Sequence, residues 1–251
     1  MPAEPGLAPA GLPPVFVSPP FGNARALALA LPRAALVRGT YTLRPRPGLY
    51  GRLLRTLRPA PGGWINKVGL RNPGVTQARP AAWPHPRRVY SLAAFLPSEW
   101  LSMACFFPLG TLLELNVGCP NAPTCDVDYS TLSLLCREWR VGLKLPPAPA
   151  SLELARMAEQ AGAAYLHFCN TFRTPAGGLS GALLRNLSLR LTEQAAGSLS
   201  TPVVGGGGIY RREHVRQYRD AGARHFSVST IFITAPHRLP GVYREACRST
   251  G

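Results

Sequence analysis

Short apolar segments alternate with longer, more polar ones along most of the chain, beginning at Val15. Each apolar segment is four to seven residues long and is followed by turn-forming or polar residues, which is typical of a β-strand. We predict eight strands, at residues 15–18, 34–38, 89–95, 112–117, 141–145, 164–168, 202–205 and 225–229.

Between the later strands, apolar residues recur at every third or fourth position, which is the period of an α-helix. This spacing predicts helices at residues 129–140, 151–161, 183–196 and 212–220. Gly162 and Gly222 stand just before predicted strands, where a left-handed glycine can end a helix. The alternation indicates a parallel sheet, and eight units predict an α/β fold, a (β/α)8 TIM barrel with its active site in the loops after the strands.

Two segments do not follow this alternation. The first fourteen residues are rich in Pro, Ala and Gly, which predicts a flexible tail before a barrel domain at residues 15–251. Residues 41–88 carry many Pro, Gly and Arg residues and no clear helical pattern, which indicates a long irregular insertion, often a functional one. Within it, residues 41–46 are expected to form a small hairpin over the barrel.

The composition narrows the class of protein. A chain of 251 residues with 46% apolar content can bury one large core. No apolar run approaches the roughly 20 residues that span a bilayer, and no secretory signal is recognisable, so we expect a cytoplasmic protein without membrane contact. The six cysteines include no C-x-x-C pair, so no metal site or disulfide framework is predicted.

The chain is strongly basic, with 28 Lys and Arg residues, 12 Asp and Glu residues and a formal charge of +16. Such a charge attracts phosphates and polyanions over a long range. The basic residues are dispersed, however, and short clusters such as Arg87-Arg88 are interrupted by Pro, Gly and apolar residues. This pattern favours an Arg-rich solvated surface over a continuous nucleic-acid interface.

Candidate chemistry begins after the fourth predicted strand, where Asn-Val-Gly-Cys-Pro-Asn runs from Asn116 to Asn121. Carboxamides can pair with the donors and acceptors of a pyrimidine or flavin edge. A cysteine is more often a small buried hydrophobe, but the carboxyl end of a barrel strand is where catalytic groups lie. Cys119 is therefore predicted to act as a base or nucleophile on a heterocycle.

Lys144 ends the next strand inside an apolar run, where its charge could stabilise an electron-rich cofactor. The alternative is a lysine that extends into solvent. Glycine loops follow the sixth and seventh strands, at residues 177–181 and 205–208, and Ser229-Thr230 follows the eighth. Because backbone N–H groups of such loops approach anions closely, the three together predict a phosphate site.

With these motifs in this order, the chain resembles the dihydroorotate dehydrogenase family, especially the class 1 enzymes that use cysteine as base. The similarity runs from about residue 34 to residue 232 and includes Thr-Leu-Arg-Pro-Arg at 42–46 and Ile-Asn-Lys-Val-Gly-Leu at 65–70. It implies FMN as cofactor, a dihydropyrimidine substrate, and oxidation of dihydroorotate to orotate in pyrimidine (UMP) biosynthesis.

The resemblance also implies residue roles. Cys119 is the implied catalytic base, and Lys144 meets the flavin. The implied FMN contacts are Thr40, Asn116, Lys144, Gly181, Gly207, Gly208, Ser229 and Thr230. The implied residues of the pyrimidine site are Asn66, Asn116, Asn121, Asn170 and Thr171.

Departures from the family pattern keep alternatives open. Gly39 stands where the family has a lysine, and residues 18–22 replace its small turn after the first strand. One alternative is a tRNA dihydrouridine synthase, although its His-x-Arg element and helical RNA-binding domain have no counterpart here. The other is a flavin-binding paralogue without catalysis. The electron acceptor is unknown; relatives use fumarate, a nicotinamide-linked subunit or a quinone, and class 1 relatives are commonly homodimers.

Overall fold

The computed structural model describes residues 11–80, 85, 87–169 and 171–248. In chain order its strands are β1 Val15–Val17, β2 Ala34–Tyr41, β3 Arg58–Ala60, β4 Gly63–Asn66, β5 Arg88–Leu92, β6 Leu112–Asn116, β7 Arg140–Lys144, β8 Tyr165–His167, β9 Phe172–Thr174, β10 Gly177–Gly181, β11 Val203–Gly206 and β12 His225–Val228. Eight of these strands close a parallel barrel in the order β1-β12-β11-β8-β7-β6-β5-β2. The predicted (β/α)8 barrel and its eight strands are confirmed.

Helices follow most barrel strands. They are α1 Leu27–Ala30, α2 Leu49–Thr56, α3 Glu99–Ala104, α4 Tyr129–Glu138, α5 Ser151–Gln160, α6 Arg185–Ser198, α7 Arg212–Asp220, α8 Ile231–Thr234 and α9 Leu239–Cys247. The four predicted helices correspond to α4–α7. Gly162 and Gly222 have φ values of +88° and +90°, so both adopt the predicted left-handed conformation. Among the helices that the structure describes, none is long and apolar enough to cross a bilayer.

The insertion between β2 and β5 is more regular than its composition predicts, because it contains α2 and the hairpin β3–β4. Helix α2 is only eight residues long and includes Gly51, so its apolar spacing covers barely two turns and does not stand out from a Pro-, Gly- and Arg-rich background. The prediction of a hairpin at residues 41–46 is wrong. Tyr41 ends β2, and Arg46 forms a single antiparallel bridge with Asn72.

A second, four-stranded antiparallel sheet has the order β3-β4-β10-β9. Within it, Gly178 pairs with Asn66 and Gly181 pairs with Gly63. The glycine loop predicted at residues 177–181 is therefore a strand. Glycine is unfavourable in strands when it stands alone, but hydrogen bonding on both sides, to β4 and β9, overrides that preference here.

Leu12 closes the amino-terminal end of the barrel. Its side chain is 0% exposed and packs in a cluster with Phe16 and Tyr165. The segment around it is also anchored by backbone contacts, because the Phe226 N–H donates to the carbonyl of Pro14 at 2.9 Å. Residues 11–14 thus belong to the barrel, so the tail predicted for residues 1–14 extends too far; residues 1–10 lie outside the described part of the chain.

The main apolar core lies between the barrel wall and the outer helices. Leu113, Leu115, Leu135 and Leu166 are fully buried there. Because protein cores pack as densely as organic crystals, this layer holds the strands at fixed positions. The loops at their carboxyl ends therefore start from a rigid base.

Replacing Leu12 with alanine is expected to lower the free energy of unfolding by about 3 kcal/mol, because it removes a fully buried side chain and leaves a cavity. Urea unfolding followed by circular dichroism measures this change. Leu29→Ala is the matched control, since Leu29 is 88% exposed and surface changes usually stay within about 0.5 kcal/mol. Equal effects of the two substitutions would contradict the role of Leu12 in closing the barrel.

Candidate active site

A cavity of about 370 Å³ opens at the carboxyl ends of the barrel strands, below α2 and the four-stranded sheet. Every predicted site residue that the structure describes lines it. These residues are Thr40, Asn66, Asn116, Cys119, Asn121, Lys144, Thr171, Gly181, Gly207, Gly208, Ser229 and Thr230. Asn170 lies outside the described residues. The structure thus brings the described site residues together in one cavity, while the role of each side chain stays a prediction.

Two carboxamides are tied together at one side of this cavity. The Asn121 side chain donates from Nδ2 to Oδ1 of Asn66 at 3.0 Å, and its own Oδ1 accepts the N–H of Gly178 at 3.0 Å. Oδ1 of Asn66 also accepts the N–H of Val68 at 3.3 Å. Because these bonds engage both polar atoms of Asn121 and Oδ1 of Asn66, both side chains are held in fixed orientations beside the cavity.

Asn116 is held from the barrel side. Its Nδ2 donates to Oγ1 of Thr40 at 3.1 Å, and that hydroxyl lies 3.0 Å from Oγ of Ser91. This chain of side-chain contacts links the carboxyl ends of β6, β2 and β5. A ligand ring in the cavity would therefore meet an amide whose position three strands determine.

The Cys119 side chain is buried, with 7% of its surface exposed. Burial raises the pKa of its thiol above the ordinary value of 9.0, because a thiolate loses solvation inside the protein. The backbone N–H groups of Asn121 and Ala122 and the charges of Lys144 and Arg173 act in the opposite direction without cancelling the rise. The thiol is consequently protonated at neutral pH, and the thiolate forms more readily as the pH rises.

A buried acidic network lies inside the barrel near Lys144. The hydroxyl of Tyr165 donates to Oε2 of Glu114 at 3.2 Å, and Nδ1 of His167 lies 3.4 Å from the same oxygen. Burial alone would raise the pKa of Glu114, but the hydrogen bond from His167 and the charge of Lys144 outweigh it and lower the pKa. Burial lowers the pKa of His167, so a neutral imidazole donates to an ionised carboxylate.

This network was not predicted from the sequence. Glu114 and His167 each interrupt an otherwise apolar strand, as Lys144 does, and that interruption was the available signal. Three leucines, Leu49, Leu53 and Leu57, also line the cavity and were missed because α2 was not predicted.

The glycine-lined part of the cavity is formed by the loops after the later barrel strands. Gly208 has a φ of +68°, and a Cβ added there would lie 2.7 Å from Cα of Ala182, so only glycine fits. Close by, the hydroxyl of Tyr210 lies 2.7 Å from Oγ1 of Thr230. Backbone N–H groups and hydroxyls concentrated in this way suit an anionic group such as a phosphate.

Gly39 stands where the family has a lysine, and a side chain cannot be placed there without moving the backbone. Its φ is +108°, and an added Cβ would lie 2.6 Å from the carbonyl oxygen of Ser91. Asn23 clamps the same residue by accepting its N–H at 3.0 Å and donating to its carbonyl at 3.1 Å. The barrel wall at Gly39 therefore accommodates only glycine.

In the part of the chain that the structure describes, no group of three or more His, Cys, Asp or Glu residues is placed to hold a metal ion. Fold and cavity together define a (β/α)8-barrel protein whose carboxyl-terminal mouth suits a heterocyclic ring at one end and an anionic group at the other.

Comparison with known proteins shows which proteins the chain resembles. The chain is 27% identical over 237 residues to "Dihydroorotate dehydrogenase B (NAD(+)), catalytic subunit" of Bacillus mycoides (strain KBAB4), and the match covers 81% of this chain and 76% of the relative. The subunit of the same name from Bacillus cereus (strain AH187) matches with the same identity and coverage. A crystal structure of the Eimeria tenella dihydroorotate dehydrogenase with ferulenol has the same fold, with a TM-score of 0.67, 15% identity and coverage of 98% of this chain and 86% of the other.

No protein-family model matches the chain. The resemblance inferred from the motifs is nevertheless confirmed: the chain is similar over four-fifths of its length to proteins named dihydroorotate dehydrogenase, and the solved structure shares its fold.

Alkylation of Cys119 by iodoacetamide is expected to be slow at pH 7 and to accelerate only above pH 9, because burial raises the pKa of the thiol. Mass spectrometry of the Cys119 peptide measures the rate, with the exposed Cys105 as an internal reference. Lys144→Met should slow Cys119 further by removing a stabilising charge, whereas Arg137→Met on the outer surface should not. A midpoint below pH 9 in the unaltered protein would contradict a raised pKa of this thiol.

Glu114→Gln is expected to lower the free energy of unfolding at pH 7 by about 3 kcal/mol, since it removes a buried carboxylate from its partners. Because the folded state lowers the pKa of Glu114, its contribution is present above the ordinary value of 4.5 and is lost as the pH falls below it. The stability difference should therefore shrink at low pH. Urea titrations at pH 7 and pH 4 test this, and Tyr165→Phe, expected to cost about 1 kcal/mol, is the milder control.

Proposed function

We propose that the chain is an FMN-dependent oxidoreductase that oxidises dihydroorotate to orotate. The observation that carries the proposal is Cys119 in its Asn-Val-Gly-Cys-Pro-Asn loop, in one cavity with Lys144 and the paired carboxamides. The relatives named dihydroorotate dehydrogenase support the same reaction class.

The residues present suit FMN. One end of the cavity offers glycine N–H groups and hydroxyls that can hold a phosphate, from Gly181, Gly207, Gly208, Ser229 and Thr230. The other end offers Thr40, Asn116 and Lys144 for the ring system. A flavin held by these residues would supply the capacity to take up hydride from a dihydropyrimidine. A separate acceptor must then take the electrons, and the relatives' name points to a nicotinamide-linked one.

The chain's own residues supply the remaining chemistry. Cys119 Sγ removes the proton from the ring carbon beside the one that loses hydride. Asn66 and Asn121, already fixed to each other, hold the polar edge of the pyrimidine. The positive charge of Lys144 stabilises the thiolate of Cys119. The same charge would stabilise the electron-rich cofactor ring.

Neither alternative is favoured by a specific contact. A dihydrouridine synthase would not be expected to match relatives named dihydroorotate dehydrogenase over four-fifths of the chain. A paralogue without catalysis has no need to keep a thiol between two oriented carboxamides. Homodimerisation and a cytoplasmic location remain predictions.

Anaerobic titration of the purified flavoprotein with dihydroorotate is expected to bleach the flavin absorbance. Cys119→Ala should slow bleaching by about 1,000-fold, because general-base groups contribute roughly 10² to 10⁴. Cys105→Ala, which changes an exposed thiol outside the cavity, should leave the rate unchanged. Bound flavin that stays oxidised would reject dihydroorotate as substrate, and purification without flavin would reject the whole proposal.

A further inference from the structure

A second pocket, of about 380 Å³, adjoins the active-site cavity. Five basic side chains line this basic pocket, and they come from Arg46, Arg52, Lys67, Arg71 and Arg173. The two cavities share four lining residues, Val68, Gly69, Arg71 and Asn121. A single ligand can therefore contact the carboxamide side of the active site and the basic pocket.

The positive charge of the basic pocket is not neutralised by acidic residues of its wall. Among the described residues, the ion pairs formed by Glu114 and Glu245 include none of the five basic side chains, and neither glutamate lines this pocket. Residues 5–98, which contribute four of the five, contain thirteen Lys and Arg residues and no Asp or Glu. A surface of one sign of charge at the mouth of a cleft concentrates anions there.

Three of the arginines are already oriented by neutral groups, including Arg71, which donates to the carbonyl of Pro47 at 3.4 Å. Arg46 donates to the carbonyl of Gly69 at 3.3 Å and lies over the ring of Phe95, 4.7 Å from its centroid. Arg52 donates from Nε to the carbonyl of Lys67 at 3.0 Å. A guanidinium carries five N–H donors, so these contacts fix its direction while leaving other N–H groups for a ligand.

Lys67 and Arg173 complete the pocket from two different strands of the four-stranded sheet. Lys67 directly follows β4, and Arg173 lies in β9. Both side chains are exposed, so a ligand can reach them from solvent. They are the two basic residues of the pocket whose replacement disturbs the fewest internal contacts.

A phosphate is the ligand group that this arrangement fits. Arginine forks bind phosphate oxygens in pairs of parallel hydrogen bonds, and several cations around one pocket match a dianion better than a single carboxylate. The pocket begins at Asn121, which is also the residue that would hold the pyrimidine edge. The phosphate would thus belong to a molecule whose other end is a pyrimidine.

We propose that the basic pocket binds the phosphate of a pyrimidine nucleotide whose base occupies the active-site cavity. This inference rests on the proposed function, because it assumes that the cavity takes a pyrimidine ring. It extends the ligand class from the free pyrimidine acid to its phosphate-bearing nucleotides.

The test is direct binding to the purified flavoprotein, measured by isothermal titration calorimetry at physiological ionic strength. The probes are uridine 5′-monophosphate, uridine, inorganic phosphate and orotate. Uridine 5′-monophosphate is expected to bind at least about 10-fold more tightly than uridine, a ratio that one charge-assisted phosphate contact can supply.

The variant Lys67→Gln/Arg173→Gln should remove this advantage and leave orotate binding nearly unchanged. The control Arg137→Gln/Arg190→Gln lowers the net charge equally at two exposed positions outside both cavities and should keep the advantage. Circular dichroism verifies that both variants are folded.

Equal affinity for the nucleotide and the nucleoside would overturn the proposal, as would an advantage that survives in the pocket variant. Inorganic phosphate that binds as tightly as the nucleotide would also overturn it, by showing a site for the free ion alone. Orotate binding separates this outcome from failure of the proposed function: if orotate binds and bleaching by dihydroorotate occurs, only the nucleotide inference falls.

Discussion

The hydrogen-bonded pairing of β4 with β10 is the contact on which the site depends. It joins the insertion after the second barrel strand to the segment after the sixth, through Gly63–Asn66 and Gly178–Gly181. These segments are far apart in sequence, and neither belongs to the barrel. Once paired, they hold Asn66 beside Asn121 and place Lys67 and Arg173 around one pocket. A shift of this register would dismantle both cavities while leaving the barrel closed.

The two cavities differ in how their positive charges are balanced. Inside the barrel, the charge of Lys144 is balanced by Glu114, whose carboxylate stays ionised because His167, Tyr165 and Lys144 surround it. At the mouth, Arg46 and Arg52 meet carbonyl groups and an aromatic ring. The interior is therefore nearly self-compensated, whereas the rim keeps a field that favours anionic ligands.

The sequence predicts what local periodicity determines. All eight barrel strands and the helices α4–α7 follow from apolar spacing, and the carboxyl ends of those strands supplied the candidates Cys119 and Lys144, which line one cavity. Helix α2 and strand β10 were not predicted, because the first is short and arginine-rich and the second is made of residues that disfavour strands unless partners supply the hydrogen bonds. The contact of Glu114 with His167 joins two strands that are distant in sequence, which no local pattern encodes.

Gly39 affects where positive charge lies around the active-site cavity. With a lysine there, as in the family pattern, a substrate carboxylate could find its cation inside the cavity. Here the backbone is fitted around glycine and clamped by Asn23, so that position contributes no charge. Inside the cavity Lys144 remains as a cation, and the further cations that adjoin the shared wall are those of the basic pocket, beginning with Arg71. Because these cations lie beside the ring site and not inside it, they suit a ligand whose phosphate is separated from its ring, as in a nucleotide, in addition to the ring carboxylate that the cavity itself takes.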